Sequence, residues 1–140
     1  MTNNKKISEQ LLKIVSSDDF PSSSAELAEA WSTAAVGVET VDPILEFMEA
    51  HPNLDYGMPG ALVHFVEEFY QKGYEERLVK SINRKPTMLT VWMLNRVING
   101  THEPTTKKHL ISTMRQAVSN PNADRQTLER INAFLQQLNS

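Results

Sequence analysis

Helical periodicity, interrupted at short intervals by proline and glycine, is the feature that most constrains this sequence. Apolar residues recur three and four positions apart, and no segment sustains the period-two alternation of a half-buried strand. The clearest stripe lies near the C-terminus, at Leu128, Ile131, Leu135 and Leu138. The pattern predicts an all-α protein of about eight helices.

Proline, glycine and capping residues predict where the helices begin and end. Asp42 followed by Pro43 is typical of an N-cap and a first helical position, and Thr87 and Asp124 are further N-cap candidates. We expect the polar stretch 17–24 to connect the first two helices. The expected arrangement is N-terminal helices within 5–36, followed by helix pairs over 43–72, 74–99 and 104–138. A chain of 140 residues fits a single domain, 1–140, of this kind.

The predicted helix pairs have an approximate internal period. Their first helices start at Pro43, Tyr74 and Pro104, at spacings of 31 and 30 residues. Stacked helix pairs of roughly 40 residues are typical of HEAT repeats, in which each pair buries the apolar face of the next. The side-chain pattern does not repeat with this period. Two architectures therefore stay open, a HEAT-like stack of antiparallel helix pairs and an irregular bundle.

The composition excludes several classes of protein. The sequence contains no cysteine, which excludes disulfides, thiolate nucleophiles and zinc or iron–sulfur sites with cysteine ligands. No stretch approaches the roughly 20 apolar residues of a transmembrane helix, and residues 1–9 lack the apolar core of a secretory signal. We therefore expect a cytoplasmic protein that does not contact a membrane.

Motifs for catalysis or cofactor binding are missing from the sequence. It has no Gly-x-Ser-x-Gly motif, no catalytic Ser-x-x-Lys motif and no phosphate-binding glycine loop. The nearest approach to a metal site is His64 with Glu67 and Glu68, at helical spacings of three and four. A zinc or di-iron site would need a second histidine or a second Glu-x-x-His motif. We expect no enzymatic activity, no cofactor and no bound metal.

Charge is divided unevenly along the chain. Residues 1–76 hold 14 acidic and four basic side chains, a net charge of −10, whereas 77–140 hold ten basic and three acidic ones, a net charge of +7. This asymmetry indicates either a charged partner or mutual attraction between the two halves. In the basic half, Arg77, Lys80 and Arg84 share a predicted helix face that could bind phosphates. The sequence pI of about 5.8 is nevertheless far below the value of about 9 expected of a nucleic-acid-binding domain.

Two groups of polar and aromatic side chains are candidate partner-binding residues. The first lies on the predicted helix over 60–72 and on the loop before it: Asp55, Tyr56, His64, Glu67, Glu68 and Gln71. The second, comprising Trp92, Asn95 and Arg96, projects away from the apolar side of the predicted helix over 88–99, as an interface anchor would. Two alternatives stay open, because a neighbouring helix could cover Trp92 and Tyr56 could plug its own loop.

Two stretches in the centre of the chain carry a family resemblance. They are residues 42–70, DPILEFMEAHPNLDYGMPGALVHFVEEFY, and residues 81–101, SINRKPTMLTVWMLNRVINGT. Both resemble small bacterial immunity proteins, the antidotes encoded beside polymorphic toxins, including those of contact-dependent growth inhibition. The resemblance covers about residues 40–101 and implies an all-helical, HEAT-like antidote.

The resemblance also implies a function, which is neutralisation by tight binding to the C-terminal domain of a cognate toxin. Such an antidote blocks the active site or the substrate-binding face. A nuclease toxin has a basic cleft, so an acidic antidote surface would steer association and exclude the substrate. We expect a ribonuclease toxin, with an RNase A-like fold, and a monomeric antidote that forms a heterodimer with it and does not touch nucleic acid. The alternative is a nucleic-acid-binding helical repeat that uses the basic C-terminal half.

Overall fold

The computed structural model describes residues 3–57 and 59–138, and within these ranges every regular element is helical. The α-helices are α1 (Asn3–Ile14), α2 (Phe20–Thr33), α3 (Val41–Ala50), α4 (Ala61–Glu67), α5 (Tyr74–Arg84), α6 (Met88–Gly100), α7 (Pro104–Ala117) and α8 (Arg125–Leu138), with a short 3-10 helix at Val38–Thr40. The prediction of an all-α fold with about eight helices is confirmed. Among the described residues, no helix has the length and apolar character needed to cross a membrane.

The chain divides into two compact units, which we call the acidic unit (Met1–Tyr74) and the basic unit (Glu75–Ser140). The acidic unit holds twelve acidic and four basic side chains, a net charge of −8, and the basic unit holds ten basic and five acidic ones, a net charge of +5. The change of charge along the sequence therefore coincides with the division in packing. The expected single domain stays a prediction.

Packing within the two units follows different patterns. In the acidic unit, α3 packs mainly on α1 and α4 packs mainly on α2. Consecutive helices α3 and α4 are thus not each other's main partners there, and the helix pairs expected over 43–72, 74–99 and 104–138 stay predictions. In the basic unit, α6, α7 and α8 pack on one another. In the acidic unit, contacts between helices two positions apart in the chain thus outnumber those between successive helices.

The polar stretch 17–24, expected to be a connector, contains the start of α2. Asp19 is the N-cap, since its Oδ1 accepts a hydrogen bond from the Ser22 backbone N–H at 3.3 Å. Pro21 lies in the first turn, where a missing N–H leaves no helical hydrogen bond unmade. Phe20 is buried beside it. The connector prediction was wrong because an acidic N-cap followed by a first-turn proline outweighs the serine content of the stretch.

Two other helix ends differ from the prediction. α3 begins at Val41 after the 3-10 turn, so Asp42 and Pro43 lie in its first turn rather than at its start. α4 ends at Glu67 instead of reaching Lys72, because the next backbone N–H groups bond three residues back, as in a 3-10 turn. Gln71 then takes a left-handed conformation with φ of 62°. The segment 68–73 therefore forms turns.

The predicted caps in the basic unit are confirmed. Thr87 Oγ1 accepts a hydrogen bond from the Thr90 N–H at 3.1 Å at the start of α6. Asp124 Oδ1 accepts one from the Thr127 N–H at 2.8 Å at the start of α8. Because both contacts join residues three positions apart, the local sequence was sufficient to predict them.

Aromatic rings form much of the core of the acidic unit. Phe20 stacks on Phe47 with ring centroids 5.8 Å apart, and Trp31 meets Phe65 edge-on at 5.4 Å. Trp31 is only 4% exposed, which confirms its predicted place in the core. Its indole Nε1–H donates to Gln10 Oε1 at 2.9 Å, so the polar edge of the ring is satisfied. The Phe20–Phe47 pair thus joins α2 to α3, and the Trp31–Phe65 pair joins α2 to α4.

Candidate functional site

A shallow groove of about 270 Å³ runs between α2 and α4 in the acidic unit. It combines an apolar floor with polar side chains along its edges, and we call it the α2–α4 groove. Its lining residues are Ala28, Glu29, Ser32, Ala61, His64, Phe65 and Glu68. Two of the predicted partner-binding residues, His64 and Glu68, are therefore part of one concave surface.

Small side chains create the α2–α4 groove. Ala28 and Ser32 lie one helical turn apart on α2, and Ala61 lies at the start of α4. None of them reaches far from its helix, so space remains between the two backbones. Phe65 closes the bottom, where it is buried against Trp31. The large aromatic pair sets the spacing of the helices, and the small residues leave the groove above it open.

Two carboxylates stand at the groove, Glu29 from α2 and Glu68 from the end of α4. Ser32 Oγ donates a hydrogen bond to Glu68 Oε2 at 3.3 Å, which connects the two sides. In the part of the chain that the structure describes, neither carboxylate forms an ion pair with a basic side chain. The groove thus presents negative charge that its own unit does not neutralise.

His64 and Glu67 lie next to each other beside the groove. His64 Nδ1 is 3.9 Å from Glu67 Oε1, with the histidine side chain 62% exposed. Within residues 3–57 and 59–138, no three histidine or carboxylate side chains converge as a metal site requires. His64 adds polar surface to the groove edge, whereas Glu67 lies outside the groove lining.

Asp55 and Gln71 lie on the surface of the acidic unit outside the groove lining. Asp55 is exposed, and its Oδ1 accepts a hydrogen bond from the Gly57 N–H at 3.0 Å, which closes an Asx turn in the loop before α4. Gln71 is exposed in the turn after α4. Both are accessible to a partner, but the structure does not bring them into one pocket with Glu68.

Tyr56 plugs its own loop. It is 5% exposed, it meets Phe20 edge-on at 5.6 Å, and its hydroxyl donates to the His51 carbonyl oxygen at 2.8 Å. This burial raises the pKa of the Tyr56 phenol above its usual range. Of the two alternatives for Tyr56, the structure therefore favours the loop plug, and the expectation of an exposed interface anchor is corrected.

Trp92, Asn95 and Arg96 form a patch on α6 in the basic unit. Trp92 and Asn95 are half-buried and Arg96 is exposed. The Arg96 guanidinium lies 5.5 Å from the centroid of the Trp92 ring, a cation–π pair one helical turn apart. The indole is accordingly partly accessible and lies against the guanidinium of its neighbour.

A second cavity in the acidic unit lies between α1 and the C-terminal end of α2. It measures about 300 Å³, and Ile7 and Trp31 contribute apolar surface to it. Gln10 lines the same cavity, and its carbonyl oxygen is occupied by the Trp31 indole N–H. Ala35, in a left-handed conformation with φ of 53°, turns the chain at its edge.

Sequence reasoning missed the α2 side of the groove. Glu29 and Ser32 lie on a helix whose start was wrongly placed, and nothing near them in the sequence indicates that α2 packs on α4. The sequence does show that Ala28 and Ser32 are small and lie one turn apart on the same helix face. Such a face leaves space beside a neighbouring helix, but it does not identify that helix as α4.

Comparison with known proteins identifies no relative of this chain. No protein-family model matches the chain, and no curated protein or solved structure shows significant similarity to it. The likeness to immunity proteins therefore stays a prediction carried by residues 40–101.

Proposed function

We propose that this chain is a non-enzymatic immunity protein that neutralises a cognate bacterial toxin domain by binding to it. The observation that carries the proposal is the acidic unit, which has a net charge of −8 and an open groove edged by unneutralised carboxylates. The resemblance of residues 40–101 to immunity proteins supports the same function.

Charge complementarity supports a nuclease as the toxin. Nucleases bind polyanionic substrates, so the surface around their active site is basic, and an acidic protein can occupy it in place of the substrate. Opposite charges also accelerate the encounter, which favours rapid neutralisation. The resemblance further supports a ribonuclease with an RNase A-like fold. In this proposal the complex is a heterodimer, in the cytoplasm, with no cofactor and no contact to nucleic acid.

The proposed interface extends beyond the groove. A stable protein interface buries about 800 Å² on each partner, far more than one shallow groove offers. Asp55 and Gln71 are exposed on the same unit and would enlarge the contact. On the basic unit, the Trp92–Arg96 pair is a separate candidate patch, with the composition of an interface anchor.

Co-expression tests the proposal directly. The toxic C-terminal domain encoded immediately upstream of this chain is expressed with and without it, and growth is followed. We expect growth to be restored and the two proteins to co-purify as a 1:1 complex by size-exclusion chromatography with light scattering. The proposal fails if the domain remains equally toxic when this chain is present at higher concentration.

Nucleic-acid binding by the basic unit is the second candidate function. It is favoured by Lys80 and Arg84, which are exposed on α5, with Arg77 on the same face of the helix. This function predicts an RNA or DNA mobility shift that weakens steeply with salt, because phosphate contacts release counterions. The absence of any shift at low salt would exclude it, whereas a strong, salt-dependent shift would count against an antidote that does not touch nucleic acid.

A further inference from the structure

We propose that the α2–α4 groove receives an arginine side chain from the partner. This inference rests on the proposed function, since it identifies the chemistry by which the toxin's basic surface would meet the acidic unit. The groove is suited to a side chain that is apolar along its length and cationic at its end.

The shape of the groove fits the aliphatic part of arginine. Ala28 and Ala61 line it, and the buried Phe65 ring forms its floor. Long basic side chains commonly lay their methylene groups on apolar surface while the charged end remains among polar groups. A strongly hydrated cation would gain nothing from this lining, because it could not give up water to alanine and phenylalanine side chains.

The polar groups of the groove fit the guanidinium. Glu29 and Glu68 supply two carboxylates, and the Ser32 hydroxyl donates to only one oxygen of Glu68. A guanidinium has five N–H donors in a planar fork, which can bond carboxylates in two directions at once. Lysine offers a compact ammonium that holds its water more tightly, so it fits a groove with an apolar floor less well.

Other occupants match fewer of these features. An acidic side chain would be repelled by both carboxylates. An aliphatic or aromatic side chain would cover the apolar floor but would also take water away from Glu29 and Glu68 without replacing its hydrogen bonds. Arginine matches the floor and the edges together, and it is enriched at the centres of protein interfaces.

A titration of the whole chain with a small probe tests the inference without the toxin. The probe is N-acetyl-arginine methylamide, and the control is its citrulline counterpart, which has nearly the same shape and no charge. We expect the arginine compound to shift the backbone amide signals of Ser32, Ala61 and Phe65 in a 15N-edited NMR spectrum. Saturation is expected at concentrations on the order of millimolar, typical of a single side chain. The citrulline compound should leave these signals in place.

Variants locate the effect in the groove. The double substitution Glu29→Gln and Glu68→Gln keeps the side-chain size and should abolish the shifts, and Ala61→Leu should abolish them by filling the groove. The double substitution Glu9→Gln and Glu46→Gln, on the exposed surfaces of α1 and α3, removes the same number of charges outside the groove and should retain them. The inference is overturned if citrulline acts like arginine, if the groove double variant still responds, or if the shifts spread evenly over all exposed acidic residues.

The two proposals can fail separately. If the toxin domain is neutralised while the arginine compound leaves the groove signals unchanged, the arginine inference fails and the immunity function stands. If the compound binds in the groove while the toxin remains active, the immunity function fails and the binding chemistry of the groove stands.

Discussion

In the acidic unit aromatic rings fill much of the space between the helices, whereas in the basic unit aliphatic side chains and hydrogen-bonded threonines do so. Phe47 contacts Phe20 and His51 in the former. In the latter, Thr101 Oγ1 donates to the Val97 carbonyl oxygen at 2.7 Å and Thr113 Oγ1 to that of His109 at 3.2 Å. Large rings fix the distance between helices at a few points, and a groove stays open where the neighbouring side chains are small. The candidate site lies in such a groove.

The largest expected effect comes from removing one of the aromatic rings that pack in the acidic unit. Phe47→Ala removes a buried ring that packs on Phe20, His51 and Tyr56. Replacing a buried phenylalanine by alanine costs about 3–5 kcal/mol of unfolding free energy, through lost burial and the cavity that remains. Urea denaturation followed by fluorescence of the buried Trp31, in a Trp92→Phe background, measures the loss in the acidic unit.

Leu12→Ala is the matched control in the same unit, since Leu12 is 58% exposed. We expect it to change the unfolding free energy by no more than about 0.5 kcal/mol. Equal losses for Phe47→Ala and Leu12→Ala would show that the rings do not organise the acidic unit.

The second prediction concerns charge and uses the toxin complex. Glu29→Lys combined with Glu68→Lys places two cations against the partner's basic surface, where like charges cost several kcal/mol. We expect the affinity measured by titration calorimetry to fall by roughly 100-fold or more, which corresponds to about 2.7 kcal/mol. The circular dichroism spectrum should be unchanged, because both side chains lie at the edge of the groove.

A charge reversal elsewhere on the same unit separates contact from net charge. The double variant Glu9→Lys and Glu46→Lys makes the same change of net charge on the exposed surfaces of α1 and α3, outside the groove lining. It should slow association only modestly and leave the dissociation rate unchanged, since distant charges act mainly on encounter. If its effect matches that of the groove variant, the binding depends on the net charge of the acidic unit and not on the groove.

The third prediction distinguishes a structural tyrosine from a binding tyrosine. Tyr56→Phe removes the hydroxyl that donates to the His51 carbonyl, but this oxygen still accepts a hydrogen bond from the Leu54 N–H at 3.4 Å. The expected loss of unfolding free energy is therefore about 1 kcal/mol. Affinity for the toxin should not change, and a large loss of affinity without a loss of stability would restore Tyr56 to the interface.

Local sequence was enough to predict the elements of the basic unit. The caps of α6 and α8 depend on contacts between residues three positions apart, as at Thr87 and Asp124. The apolar stripe marks the helix α8 but only part of its buried face, which consists of Thr127, Ile131 and Phe134, whereas the leucines of the stripe are half-buried. In the acidic unit the same signals were ambiguous. Asp19 and Pro21 start α2 within a serine-rich stretch that also resembles a connector.

The candidate site could be predicted only in part, because it depends on packing between distant residues. His64 and Glu68 were identifiable as a polar helix face, but their relation to Glu29 and Ser32 arises from α2 packing on α4. The early end of α4 had no clear signal either. Gln71 adopts a positive φ, a conformation that glutamine seldom takes and that tertiary contacts must stabilise.

The smallest expected effect concerns the pH dependence of the basic unit. Hydrogen bonds from Thr127 to Asp124, and from Thr106 and Thr105 to Glu103, lower the pKa of both carboxyl groups below their ordinary values of 3.8 and 4.5. A carboxyl group whose pKa is lower in the folded state stabilises the fold above its unfolded-state pKa. That contribution is lost as the pH falls through the folded-state pKa. Stability should therefore decrease as the pH falls below about 5, as measured by thermal unfolding with Trp92 fluorescence in a Trp31→Phe background.

The double variant Asp124→Asn and Glu103→Gln should be less stable at pH 7 and should lose less stability on acidification, because its caps no longer titrate. Parallel curves for the two proteins would contradict the assignment of the pH dependence to these caps.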